Sequence, residues 1–120
     1  MRGLILVAHG SRREESNTEF EGMVFALKKR LGSSYAKVEA SFLEFAEPDI
    51  AGIIYAMIQA GITQIQIYPF FLNSGKHVHH DIPEKIREAQ GIYPEVTFEL
   101  LAHFGSSEHI LSVITNDLQG

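Results

Sequence analysis

Residues 3–9, GLILVAH, form an unbroken apolar run that ends in a histidine and is followed at once by Gly10. A short run of this kind reads as a strand buried on both faces, as in a parallel sheet covered by helices. His9 then stands at the carboxyl end of a strand. In an open parallel sheet that is the edge where ligands bind. A neutral imidazole is the commonest metal ligand and exchanges protons near neutral pH.

Outward from this run, strand and helix patterns alternate four times. Ser11 with Glu14, or Ser16 with Glu19, has the spacing of a capping box that starts the first helix. Phe20, Met23, Val24, Leu27 and Leu31 follow helical spacing, and Gly32 is the expected stop. Residues 36–45 read as the second strand. Pro48 and Asp49 suit the first turn of a second helix. Its buried stripe is Ile50, Ile53, Ile54, Met57 and Ile58, and Gly61 ends it. Residues 63–72 give the third strand, with Pro69 near its end. Residues 73–80 read as a polar loop before a helix that starts at 81–83 and carries Ile82, Ile86 and Ala89. Residues 95–102 are the fourth strand, and Ser106 or Ser107 opens a last helix with Ile110, Leu111, Ile114 and Leu118.

Strands alternating with helices require crossover connections and a mainly parallel sheet. The expected fold is α/β, a single-domain three-layer sandwich over residues 1–120 with strand order 2-1-3-4. The topological switch then lies between the first and third strands, flanked by His9 and by His77 of YPFFLNSGKHVHHDIP (residues 68–83). Glu44, in FLEFAEPDI, ends the second strand and His103 follows the fourth. A carboxylate at a strand end suits a metal ligand or a general base. His79 shares a face with His77 if their segment is extended, and His80 then points away. Arg12, Arg13 and Lys76 lie near the histidines, where positive charge favours an anionic ligand.

Composition narrows the function classes. There are no cysteines, so disulfides, thiolate metal sites and cysteine nucleophiles are excluded. A net charge of −5 argues against a nucleic-acid partner. No stretch is long and apolar enough for a membrane span, and the first residues do not read as a signal peptide, so a cytoplasmic protein is expected.

Together LILVAHGSR, FLEFAEPDI and YPFFLNSGKHVHHDIP resemble the class II tetrapyrrole chelatases in their short CbiX-type form, over residues 3–105. The resemblance implies a chelatase-like domain that inserts Co²⁺, or in close relatives Ni²⁺ or Fe²⁺, into sirohydrochlorin on the way to cobalamin. It implies that His9 and His77 handle the metal and that Glu44 is a nearby acidic group. The substrate carries eight carboxylates, for which Ser11, Arg12 and Lys76 are the candidate partners. His79, His103 and Arg13 are secondary candidates that the resemblance does not carry. It also implies no permanently bound cofactor, the metal being a substrate, and a homodimer, because larger class II chelatases use two such domains across a cleft. Two other readings stay open. One is a carrier that binds metal or tetrapyrrole without turnover. The other is a histidine phosphatase-like hydrolase, disfavoured because Ala8 stands where that pattern has arginine.

Overall fold

The structure, a computed structural model, describes residues 1–120. Its elements are β1 (Arg2–Ala8), α1 (Glu14–Leu31), β2 (Lys37–Phe42), α2 (Ile50–Gln59), β3 (Gln64–Pro69), α3 (Ile82–Ile92), β4 (Thr97–Leu100) and α4 (Ile110–Gln119). The sheet has four strands in the order β2-β1-β3-β4, and every neighbouring pair is parallel. This is the expected α/β arrangement, with the switch between β1 and β3.

The apolar run of β1 explains the layering. Leu4 and Leu6 face α1 and join Phe20, Val24, Val38 and Phe42 in one core. Ile5 and Val7 face the other way and join Ile53, Ile54 and Met57 of α2 and Ile82 and Ala89 of α3. A central strand that serves two cores has no position for a polar side chain, which is why its pattern is continuous rather than alternating. Ile5, Ile65 and Ile67 are fully buried, so truncating any one to alanine costs about 2–5 kcal/mol.

Several boundaries differ from the sequence reading, each for a local reason. β1 ends at Ala8, so His9 lies one residue past it. Neither serine caps α1: its N-cap is Arg13, which makes no side-chain capping bond. The Ser11 hydroxyl instead accepts from the Arg13 amide, and the Asn17 side chain bonds both backbone groups of Ser11. β2 stops at Phe42 and Glu44 sits in the following loop, although the Leu43 and Glu44 amides still bond Ala8 and His9. Asp49 is the N-cap of α2, accepting from the Gly52 amide at 2.8 Å, so Pro48 and Asp49 precede the first turn. β3 and β4 are each shorter than expected. α4 begins only at Ile110, after a short 3₁₀ turn at Phe104–Ser106.

The largest departure is in the segment read as a polar loop. His77–Asp81 form a single π turn that runs directly into α3. Pro83 has no N–H for the His79 carbonyl, and its ring crowds that carbonyl. A wider turn ahead of the proline relieves both problems. Such turns are frequent at functional sites.

Candidate active site

His9 is placed by two constraints. Its Nδ1 lies 3.0 Å from the Gly10 carbonyl, so this nitrogen carries the hydrogen and Nε2 is left with its lone pair. Gly10 has φ +92°, and a Cβ there would lie 1.8 Å from the Glu44 carbonyl oxygen. Only glycine permits that approach. It presses the β1–α1 loop against the β2–α2 loop and brings the Glu44 carboxylate 3.2 Å from His9 Nε2.

His77 arrives from the other side of the switch. In the π turn, Asp81 is one helical step along and its carboxylate lies 2.6 Å from His77 Nδ1. That bond directs the Nδ1 hydrogen to the carboxylate, fixes the ring and leaves Nε2 open, as carboxylates do behind metal-binding histidines. Asp81 also meets His80 Nδ1 at 3.2 Å. The hydrogen bond from His80, then that from His77 and the charge of Lys76, hold the Asp81 carboxyl below its ordinary range against partial burial. The rings of His9 and His77 are 4.8 Å apart, centre to centre. Phe71 stacks on His77 from behind at 6.3 Å.

The structure thus brings His9, Glu44 and His77 together. Lys76 immediately precedes His77 and is exposed. Arg12 reaches the same edge, its guanidinium 4.9 Å from the centre of the Phe45 ring. Ser11 is absorbed in loop hydrogen bonds. Arg13 turns to Glu15 at 3.7 Å on the solvated flank. His79 is exposed; the helical backbone removes the extended geometry that would have set it on one face with His77. His103 follows β4 on the same edge, and its ring has no hydrogen bond or aromatic contact with His9 or His77.

Two residues escaped the sequence reading. Asp81 has helical i,i+4 spacing from His77, a signal that counts only once residues 77–81 are known to be helical. Phe45 has φ +65°, a conformation that costs a non-glycine residue about 1–2 kcal/mol. No sequence signal marks it.

Two hollows lie near the histidine pair, and carboxylates outnumber cations in both. A cleft of about 210 Å³ is lined by Glu44, His77, Asp81, Glu84, Lys85 and Glu88. Carboxylates outnumber the lysine, so the field there attracts a cation. A neighbouring depression of about 430 Å³ is lined by Arg12, Phe42 and Phe45 together with Glu14, Glu21 and Glu47.

Imidazole and carboxylate are donors that bind divalent ions without thiolates and can take up protons, although no three of these side chains converge on a single metal-binding point as they stand. Residues 3–120 match the CbiX family model. The chain is a member of the CbiX family. It is 35% identical over 117 residues to the chloroplastic sirohydrochlorin ferrochelatase of Arabidopsis thaliana, covering 98% of this chain and 51% of that protein. It is 37% identical over 93 residues to the sirohydrochlorin cobaltochelatase of Methanococcus maripaludis, covering 78% of this chain and 60% of that one. SirB from Bacillus subtilis with Fe³⁺ superposes with a TM-score of 0.88 at 29% identity, covering 98% of this chain and 46% of SirB. This CbiX chain therefore spans about half the length of the Arabidopsis and Bacillus relatives.

Proposed function

We propose that this chain inserts a divalent metal ion into sirohydrochlorin. The observation that carries the reading is the facing pair His9 and His77, with rings 4.8 Å apart and each Nδ1 tied to an acceptor. Each ring is thereby left with Nε2 for a metal ion or a proton, on either side of the switch crevice. The names of the relatives support the substrate.

The mechanism follows from the groups present. The ion is attracted by the carboxylates beside His77 and taken up by His9, His77 and Glu44. Neutral imidazole and carboxylate bind Co²⁺, Ni²⁺ and Fe²⁺ with moderate strength, so the ion can pass on to the macrocycle. Insertion releases two pyrrole protons. His9 and His77, freed of metal, accept one each, and Glu44, 3.2 Å from His9, is placed to pass that proton on to solvent. Arg12 and Lys76 serve the substrate carboxylates.

Of the three ions, Co²⁺ is the first choice. Nitrogen-donor sites hold it more tightly than Fe²⁺ and release it more readily than Ni²⁺. The chain works in the cytoplasm as a homodimer, with no permanently bound cofactor. Support for the dimer comes from α4, which buries none of its residues and leaves Leu111 75% and Leu118 82% exposed. A second copy covers them, and closed twofold dimers are the commonest assembly.

The test is the absorbance change of sirohydrochlorin mixed with Co²⁺, Ni²⁺ or Fe²⁺, with and without protein. Acceleration supports chelation, and the fastest metal identifies the preference. Binding shifts without acceleration favour a carrier and overturn the enzymatic reading.

A further inference from the structure

We propose that Phe45 is the platform on which one face of the tetrapyrrole stacks, positioning the macrocycle beside His9. The proposal rests on the chelatase reading and adds the residue that orients the substrate.

Phe45 is a large apolar side chain that stays 51% exposed. It also holds a left-handed backbone conformation, φ +65°, that glycine would adopt without strain. Strain is ordinarily compensated by burial or by function, and here burial is missing. The conformation is imposed from both sides. The Glu44 amide bonds the His9 carbonyl at 2.9 Å, and the Phe42 amide bonds the Pro48 carbonyl at 3.0 Å. The segment between these anchors must reverse, and the reversal turns the Phe45 ring outward.

The ring's neighbours match a flat, carboxylated ligand. The His9 ring is 6.0 Å away, centre to centre, inclined at 56°. A plane resting on Phe45 is therefore adjacent to the histidine that faces Glu44. Arg12 lies over the ring at 4.9 Å and is the only cationic side chain lining that depression. A guanidinium there can keep its aromatic contact while it pairs with a carboxylate at the rim of the macrocycle. An apolar ring, a forked cation and a proton acceptor thus stand in sequence along one edge, as a tetrapyrrole with acidic side chains requires. Glu14, Glu21 and Glu47 line the same depression and outnumber Arg12, so stacking on the ring rather than net charge must hold the ligand on this side.

The test uses metal-free sirohydrochlorin as probe, titrated into the full chain by fluorescence, followed by steady-state insertion kinetics. The variants are Phe45→Ala, Phe45→Gly and Phe45→Tyr. The alanine and glycine variants should weaken tetrapyrrole binding and raise its KM by about tenfold, the usual scale of one aromatic stacking contact. The KM for metal should stay near wild type, and Phe45→Tyr should restore binding. Phe45→Gly relieves the backbone, so its melting temperature should not fall, and weakened binding in that variant cannot be ascribed to unfolding. Equal tetrapyrrole affinity in wild type and Phe45→Gly overturns the platform while leaving the chelatase reading standing. Failure of the wild-type chain to bind sirohydrochlorin overturns both. A change in sedimentation with unchanged tetrapyrrole affinity assigns the ring to a protein interface and overturns the proposal.

Discussion

Nε2 of His9 and a carboxylate oxygen of Glu44 stand 3.2 Å apart, with His9 Nδ1 already committed to the Gly10 carbonyl. A neutral imidazole in that tautomer presents a lone pair to an oxygen that also has only lone pairs to offer. A proton or a metal ion between the two turns this contact into an attraction. Glu44→Gln supplies an amide N–H that His9 can accept without any cation. We expect this variant to fold normally and to lose about tenfold or more in affinity for Co²⁺, measured by calorimetry. Unchanged affinity would remove Glu44 from the metal site.

His9→Ala and His77→Ala should each lower the insertion rate about tenfold or more, the minimum expected for loss of a proton-transfer group. Both side chains are partly exposed, 41% and 37%, so circular dichroism and melting temperature should stay near wild type. His79→Ala should leave the rate near wild type, because His79 is exposed and its ring makes no hydrogen bond or aromatic contact with the pair. A folded His77→Ala chain with full activity would sink the two-histidine mechanism.

Asp81 has its carboxyl held below the ordinary range by His80 first, then by His77 and Lys76. A depressed carboxylate contributes stability above its unfolded pKa, and that contribution is lost as pH falls through the lower folded value. Asp81→Asn should therefore melt below wild type from pH 5 to 8, with the gap closing only below about pH 4, the ordinary carboxylate range. Thermal melts across this range check it. A gap that is present at pH 5 and lost as the pH rises to 8 would assign the effect to charged histidines rather than to the depressed carboxyl of Asp81.

Gly10→Ala should be the most damaging small substitution near the site. The new Cβ meets the Glu44 carbonyl at 1.8 Å, and φ +92° is unfavourable for any side chain. The expected loss is about 1–3 kcal/mol in urea unfolding, together with reduced insertion as the Glu44 loop moves from His9. A variant as stable as wild type would mean that the two loops are free to separate.

The dimer proposal is tested on α4. Leu111→Glu combined with Leu118→Glu places charge on residues that no other part of the chain covers. Sedimentation should shift from twice the chain mass to the 13.4 kDa monomer, with helix content unchanged. A wild-type chain that sediments only as monomer at micromolar concentration would remove the homodimer.

The apolar run at 3–9 and the fourfold alternation of strand and helix patterns were enough to read the parallel sheet, its strand order and the crevice between β1 and β3. The reason is that a strand buried on both faces leaves its pattern in consecutive residues. The placement of His9, Glu44 and His77 on one edge of the sheet was legible on the same ground, because each directly follows a strand or its loop. Their mutual geometry was not legible. Pro83 read as a helix start, but the chain becomes helical ahead of it through a π turn, and only that turn brings Asp81 beneath His77. The inversion at Phe45 depends on hydrogen bonds from neighbouring segments, to His9 and from Phe42 to Pro48. Likewise the apolar spacing of α4 announces a helix but not what it packs against. Periodicity records which side of an element is apolar. The partner of that side, and the aim of a side chain in a loop, are decided by contacts between residues far apart in the chain.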